Sequence, residues 1–373
     1  MRFAISCGGT GGHLSPGIAL AEGLVARGHT AILLISRKRV DARLISKYPE
    51  LRFERPPGVP FSLHPIKFVQ CVTSQSRAVA YCLRIMRREK PDVAVGFGGF
   101  TCAPLVIASR LSGVPVALHE SNRVPGMAIR TLGRLASRVY LPPGIRLRGV
   151  GASATRHLGL PVRQEIVRMP RAEARVALGL DPSQKVLSVL GGSQGASTLN
   201  DWARESATAL AAEGVQLYCL TGLGKGEPEI REHRSRSGAI VRSIFVPFSD
   251  RMAELLSASD LTVSRAGSGT LAELIRCETP AILVPYPHAA DDHQRSNARF
   301  FERQGGGLVV ESDRIASMRA EVLDAIFNEW LLRKFRANLK RMDRANSLPL
   351  MIQDLERLGG APASPRPPAF APA

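Results

Sequence analysis

Apolar and polar positions along this chain follow two alternating rhythms. Phe3-Ala4-Ile5-Ser6 is a compact apolar run that reads as a buried strand. Beyond a glycine cluster, Leu14, Ile18, Ala21 and Val25 recur at helical spacing, and Gly28 stands where that helix should stop. The pairing repeats, with strands expected over 30–35, 92–96 and 114–118 and helices over 78–88, 104–112 and 126–135. Such alternation predicts an α/β fold, a parallel sheet with helices on both faces.

The second half restarts the same grammar. A strand is expected over 186–190, a loop at Gly191-Gly192-Ser193-Gln194-Gly195-Ala196, and a helix over 199–212. Further strands are expected at 216–220, 261–264, 281–284 and 308–310, and 316–358 reads as helical. A chain of 373 residues exceeds the roughly 250–300 that one hydrophobic core organises. Two doubly wound, Rossmann-like domains are therefore expected, 1–162 and 163–335, with the boundary near Gly159-Leu160-Pro161-Val162-Arg163. Residues 336–358 are expected to pack back on the first domain, and the Ala- and Pro-rich 359–373 to be a disordered tail.

Each half carries a glycine-rich turn after its first strand, where ligands of doubly wound sheets bind. Gly8-Gly9-Thr10-Gly11-Gly12-His13 lets backbone N–H groups approach an anion, and the helix start adds partial positive charge. The turn lacks the Gly-Lys-Ser/Thr of a Walker loop and the G-x-G-x-x-G of a dinucleotide site. The plainer reading is a tight turn capped by a histidine. Two domains facing one cleft would suit a reaction joining two phosphorylated substrates.

Composition narrows the partners. Fifty basic against thirty-two acidic residues give a formal charge of +18, although only eight of the fifty are lysine. Anionic partners follow: nucleic acid, acidic lipid head groups or phosphorylated substrates. No helix-turn-helix, RNP or finger spacing supports nucleic acid, so none is expected. The six cysteines (7, 71, 82, 102, 219, 277) form no C-x-x-C pair, which argues against a disulfide framework or zinc site. The best candidate for a membrane span, 93–109, is broken by three glycines and a proline, and no signal peptide is read. A cytosolic protein with reduced thiols is the expectation.

Six motifs then occur in an order that resembles the MurG family, bacterial glycosyltransferases that add N-acetylglucosamine to lipid I. They are Gly8–His13, Gly96-Phe97-Gly98-Gly99-Phe100, His119-Glu120-Ser121-Asn122, Gly191–Ala196, the Ser264–Glu273 stretch and Asp291–Ala298, so the likeness runs from the first strand to about residue 310. The resemblance implies a GT-B fold and an inverting, metal-independent transfer. The implied donor is UDP-N-acetylglucosamine, and the implied acceptor is undecaprenyl-diphosphate-linked N-acetylmuramyl-pentapeptide, a membrane-embedded lipid. Transfer would go to its 4-hydroxyl, turning lipid I into lipid II. Asp-x-Asp, a cue for a metal bridging a nucleotide diphosphate, is absent, so neither metal nor cofactor is expected.

The resemblance also assigns residues. Glu273 would bind the ribose hydroxyls, with Ser268, Gly269 and Thr270 beside the diphosphate; the alternative for Glu273 taken by itself is a solvated helix charge. Thr10, Gly11, Gly12, Ser193 and Arg163 also fall to the donor, Gln294 and Asn122 to its hexose, and Ser249 to the uracil loop. Gly9, Gly11, Gly12, Gly98 and Gly99 fall to the acceptor diphosphate. Leu160 stands where the family has asparagine, a departure that weakens the transfer of Arg163's role. His13 is the candidate general base, since a neutral imidazole titrates near ~6.5. It could instead hydrogen-bond the acceptor diphosphate without moving a proton. His119 and His293 are lesser candidates, and Glu120 could be catalytic or structural.

A membrane-facing ridge is expected from Ile66-Lys67-Phe68-Val69 and from Arg77, Arg84, Arg87 and Arg88 among Val79, Leu83 and Met86. It would seat the protein peripherally on the anionic inner leaflet at the cytoplasmic face of the cell membrane, near cell-wall synthesis proteins. The same pattern fits an ordinary amphipathic helix packed on its sheet. Three other functions stay open: another GT-B glycolipid glycosyltransferase, a UDP-sugar 2-epimerase, and a non-catalytic nucleotide-sugar-binding scaffold.

Overall fold

The computed structural model describes residues 1–8, 11–36, 45–59, 65–192, 195–343 and 348–360. The chain forms two compact units. The first comprises 1–121, 125–161 and the segment after 346, and the second comprises 122–124 and 162–346.

The first unit is a parallel sheet of β1 (Arg2–Ser6), β2 (Thr30–Leu34), β3 (Arg52–Glu54), β4 (Val93–Gly96), β5 (Val116–His119), β6 (Arg138–Leu141) and β7 (Thr155–His157), in the spatial order 3-2-1-4-5-6-7. Both faces are covered, which is why its central strands are apolar throughout rather than alternating. Phe3 and Ile5 enter one core with Leu14, Ile18 and Leu24 of helix α1 (Gly11–Val25). Ala4, one pleat on, enters the opposite core with Ile85 and Met86 of α2 (Pro65–Glu89) and Leu105 of α3 (Cys102–Leu111). A short helix, α4 (Met127–Leu132), precedes β6.

The second unit repeats the plan around β8 (Lys185–Leu190). Its sheet runs β10-β11-β9-β8-β12-β13-β14, with β9 at Val215–Leu220, β12 at Leu261–Ser264, β13 at Ala281–Leu283 and β14 at Gly307–Val309. Only the edge pair β10 (Glu229–Arg234) and β11 (Ile240–Val246) is antiparallel. Its helices are α5 (Arg171–Ala177), α6 (Ser197–Ala212), α7 (Met252–Ala258), α8 (Ser268–Arg276), α9 (His293–Arg303), α10 (Met318–Ile326) and α11 (Glu329–Asp343). Leu187 and Val189 of β8 face one core, Val186 and Leu190 the other.

The stretch expected as one helical region over 336–358 is divided. Leu339 of α11 lies in a core of the second unit. After it, α12 (Leu348–Leu358) returns to the first, burying Met351, Ile352 and Leu355 against the Phe3–Leu14 core. Polar bonds fix α12 there: the Tyr140 hydroxyl donates to Asp354 at 2.9 Å, and Arg27 pairs with Glu356 at 3.1 Å. Of the disordered tail expected over 359–373, Gly359 and Gly360 instead close α12 through backbone bonds to Leu355 and Arg357, and 361–373 lie outside the described residues. All six cysteines are buried free thiols. Among the described residues no helix is long and apolar enough to cross a membrane.

The ridge on α2 is modified by packing. Met86 is buried and Leu83 packs on the same core, so these two serve the fold, while Arg77, Arg84, Arg87 and Arg88 stay exposed. Arg88 is committed to Glu54 and Glu89 at 2.6 and 2.7 Å. The side chains of Ile66, Lys67, Phe68 and Val69 lie outside the described residues.

Candidate active site

In both sheets the strand order reverses beside the first strand, between β1 and β4 and between β8 and β12. Such reversals open a crevice at the carboxyl ends of the strands. The four turns leaving these strands are the glycine-rich segments singled out in the sequence.

In the first unit, Gly8 follows β1 so closely that a Cβ there would stand 2.3 Å from the Ser36 backbone nitrogen. The Thr101 hydroxyl donates to the Gly8 carbonyl at 3.3 Å and accepts from Ser6 at 3.0 Å, tying the β1 turn to the β4 turn. Gly98 and Gly99 take positive φ, 99° and 74°, a conformation that favours glycine. A Cβ on Gly98 would lie 3.3 Å from His13 Nε2, and one on Gly99 would lie 3.2 Å from His13 Nδ1 and 2.8 Å from the Gly8 carbonyl. The imidazole thus rests against a turn without side chains, in the first turn of α1 with Gly11 and Gly12. The structure brings His13, Gly11, Gly12, Gly98 and Gly99 together. Gly9 and Thr10 lie outside the described residues.

The neighbouring motif residues have other tasks. His119 is buried against Phe97 and Tyr140, and its Nε2 lies 3.1 Å from the Gly159 carbonyl. Burial holds its pKa down to about 4, so the ring is neutral and enclosed, unlike a base that must reach substrate. The same bond fixes the chain one residue before Leu160. Glu120 is buried and accepts the Gly126 N–H at 2.7 Å, which buttresses the loop leaving β5. His293 Nδ1 lies 2.7 Å from the Ala290 carbonyl at the start of α9.

The second unit builds its crevice differently. Gly191 and Gly195 admit no Cβ, which would stand 2.3 Å from Ala196 N and 2.1 Å from the Thr221 carbonyl. Helix α6 then begins after Ala196 and α8 after Gly267, each without a side-chain cap on its first N–H groups. Two uncapped helix starts at one strand reversal are suited to an anion such as a diphosphate. Gly269 has open space around its Cα, with nothing within 4 Å of an added Cβ. Ser193 lies outside the described residues.

Side chains frame these helix starts. Arg265 donates to the carbonyls of Val284 and Pro285 at 3.1 and 3.2 Å, to Ser312 at 3.1 Å and to Thr198 at 2.8 Å. This fixes a half-buried guanidinium beside both turns, its pKa lowered by burial. It sits in a quoted motif but drew no role from the sequence; its position directly between β12 and the glycines of α8 was the available signal. Glu273 projects from α8 onto buried Arg163, whose Nη2 donates to it at 3.1 Å while Nη1 donates to Glu165 at 2.9 Å. Glu273 is therefore not a solvated helix charge, and Arg163 reaches it through a linker that carries Leu160. Gln294 accepts the Tyr286 N–H at 3.0 Å, which orients its amide. Asn297, buried on α9, donates to Asn122 at 3.0 Å and to the Ala266 carbonyl at 3.2 Å, and accepts the Arg123 N–H at 3.0 Å. Asn297 lies in the Asp291–Ala298 motif and drew no role from the sequence. Ser249 accepts the Arg251 N–H at 3.1 Å and bonds the Tyr218 hydroxyl, in the turn after β11.

Comparison with known proteins decides the family. The model of the glycosyltransferase family 28 N-terminal domain matches residues 3–141, and that of the C-terminal domain matches 186–351. The chain belongs to glycosyltransferase family 28. The resemblance drawn from its six motifs is borne out, as is the GT-B class with two doubly wound domains. Family 28 relatives include a protein of Opitutus terrae (strain DSM 11246 / JCM 15787 / PB90-1), 63% identical over 366 residues, covering 97% of each chain. That protein is named UDP-N-acetylglucosamine--N-acetylmuramyl-(pentapeptide) pyrophosphoryl-undecaprenol N-acetylglucosamine transferase. A protein of Desulforudis audaxviator (strain MP104C) with the same name is 33% identical, covering 96% of this chain and 99% of its own. Among solved structures, Acinetobacter baumannii MurG matches with a TM-score of 0.71 at 22% identity, over 95% of this chain and 99% of that one. The calicheamicin glycosyltransferase CalG4 matches at 0.66 and 15%, over 96% and 98%. At such identities these two speak to the fold alone.

Proposed function

We propose that this chain transfers N-acetylglucosamine from UDP-N-acetylglucosamine to undecaprenyl-pyrophosphoryl N-acetylmuramyl-pentapeptide, converting lipid I to lipid II in peptidoglycan synthesis. The observation that carries this reading is the 63% identity to a so-named transferase across 97% of both chains. The acceptor 4-hydroxyl attacks the anomeric carbon of the donor sugar from the face opposite UDP. As the new C–O bond forms, the bond to the β-phosphate oxygen breaks and its electron pair leaves with UDP. The proton of the attacking hydroxyl passes to His13, a step worth typically ~10²–10⁴-fold.

Charge accumulating on the departing diphosphate meets the first-turn N–H groups of α6 and α8, with Arg265 beside them. Ser193, Ser268, Gly269 and Thr270 belong to these donor turns. Glu273, oriented by Arg163, accepts the ribose hydroxyls; Gln294 and Asn122 serve the hexose, and the Ser249 turn serves the uracil. Thr10, Gly11 and Gly12 also serve the donor. The acceptor diphosphate takes the N–H groups around Gly9, Gly11, Gly12, Gly98 and Gly99, since turns without side chains suit close approach of an anion. The protein works peripherally at the cytoplasmic face of the cell membrane, where exposed Arg77, Arg84 and Arg87 on α2 meet anionic lipid.

The test is transfer of labelled N-acetylglucosamine from its UDP donor to a lipid I analogue with EDTA present. A disaccharide product is expected. Confirmed UDP binding without product would overturn the reading in favour of a scaffold, and release of a 2-epimeric UDP-sugar would favour an epimerase.

A further inference from the structure

The second sheet has two ends, and only its carboxyl end carries the donor turns. At the opposite, amino end a cavity of about 480 Å³ opens between the segment Arg168–Arg171, the residues leading into β12 and β13, and α11. About 16 Å of strand separates the two ends, from Asp260 to Arg265. Ser257, Ser259 and Thr279 line the cavity, as do three arginines, Arg168, Arg171 and Arg336.

The charge balance there is unusual. Asp260 is buried, and its Oδ2 is saturated by Arg175 at 2.6 Å and the Val186 N–H at 2.8 Å. Arg175 spends its remaining groups on the carbonyls of Ala258 and Pro182, at 3.0 and 2.9 Å. That leaves a single oxygen, Oδ1, facing Arg171 at 3.3 Å, Arg336 at 3.8 Å and Lys185 at 3.9 Å. Lys185 has Glu329 as a second partner, and Arg168 has Glu278 at 2.8 Å. Arg171 and Arg336 share the one carboxylate oxygen between them. Among the described residues, Arg171 Nε is buried with no hydrogen-bond partner. Arg336 adds only a 3.3 Å bond to the Asp260 carbonyl. Burial and the nearby Arg171 pull its pKa down to about 10, against the upward pull of Asp260 and Glu329.

We propose that this cavity is a second anion site, distinct from the donor turns, which takes a phosphate or diphosphate group between Arg168, Arg171 and Arg336. Planar guanidinium forks match phosphate oxygens in pairs. The Ser259 and Thr279 hydroxyls are spent on the Leu255 and Leu256 carbonyls, while Ser257 accepts the Met169 N–H and keeps its own proton to donate. The cavity volume falls in the range of small-ligand sites. Such a group could be carried by a soluble phosphate compound or by a lipid head group; the chemistry recognised is the same. The inference does not rest on the donor assignment.

Calorimetric titration of inorganic diphosphate into the full chain tests it, with a parallel arm using phosphatidylcholine vesicles that contain phosphatidic acid. Two altered proteins are compared with the wild type: Arg168→Glu, whose half-exposed side chain makes no contact with Asp260, and the Arg171→Gln/Arg336→Gln pair. Thermal melting confirms that each is folded. A saturable, salt-sensitive component that weakens about tenfold or more in Arg168→Glu is expected, a change of about 1.4 kcal/mol. Its presence with diphosphate names a soluble source, and its presence with vesicles alone names a lipid. Isotherms that coincide for wild type and Arg168→Glu in both arms would overturn the proposal, whatever the paired substitution does.

Discussion

The two units place a glycine-rich turn at the same point of the same sheet plan and equip it in opposite ways. In the first, the turns after β1 and β4 present backbone and one imidazole: Gly98 and Gly99 leave room that His13 fills, and Gly8 lies against the Ile35–Ser36 backbone. In the second, the turns are enclosed by side chains whose orientations are fixed by partners. Arg163 holds Glu273, Asn297 holds Asn122, and Arg265 clamps three loops. A bare backbone turn recognises an anion with little regard to what it is attached to. Oriented amides and carboxylates recognise a particular arrangement of hydroxyls. The difference suits a first unit that handles a diphosphate and a proton and a second that reads a nucleotide sugar.

That comparison can be broken in several places. The largest effect is expected from His13→Ala, which should lower kcat by about 10²–10⁴. Near-normal turnover in steady-state assays would remove His13 from proton transfer and leave it a binding role. Next is His119, whose neutral form is locked into the first unit. The unfolded chain binds that proton more readily, so stability should fall as pH drops from about 6.5 to about 4, by on the order of 3 kcal/mol. Melting curves of wild type and His119→Gln should converge across that window; parallel curves would contradict the burial argument. In the second unit, Gly195→Ala meets both a φ of +67° and the Thr221 carbonyl. It should cost about 1–3 kcal/mol in urea unfolding. A smaller change is expected of Arg163→Met, which frees Glu273 without removing it. The donor KM should rise about tenfold with kcat nearly kept, as befits a lost charge-assisted hydrogen bond. An equal loss in both constants would instead place Arg163 at the reacting atoms.

The central strands and the glycine turns were legible in the sequence because each answers to a local rule. Strands buried on both faces must be apolar, and close backbone approach must be glycine. Other strands were not read: edge strand β14 was expected over 308–310, but β6 and β11, one place in from the edges, drew no expectation despite their apolar residues. β3, β7 and β10 are short or polar, and β10 alternates half-buried and exposed residues such as Glu229, Arg231 and Arg234 that carry no apolar signal. The N-terminal half of α2 was also missed, since Val72-Thr73-Ser74-Gln75-Ser76 contains few strong helix formers. Within the candidate site, residue types pointed to Glu273, Gln294 and His13, while their partners could not be read. Arg163 lies 110 positions from Glu273, and Asn297 lies 175 from Asn122. Only the fold makes such pairs neighbours, and a lone arginine or asparagine gives no periodic signal of what it will touch.

The division of labour between the units is tested most directly by titrating UDP into two altered proteins side by side, Glu273→Ala and His13→Ala. The account predicts that Glu273→Ala loses about tenfold or more in UDP affinity, the scale of hydrogen bonds to a charged group. His13→Ala should bind UDP as the wild type does. Unchanged affinity in Glu273→Ala together with a loss in His13→Ala would reverse the assignment and contradict the account.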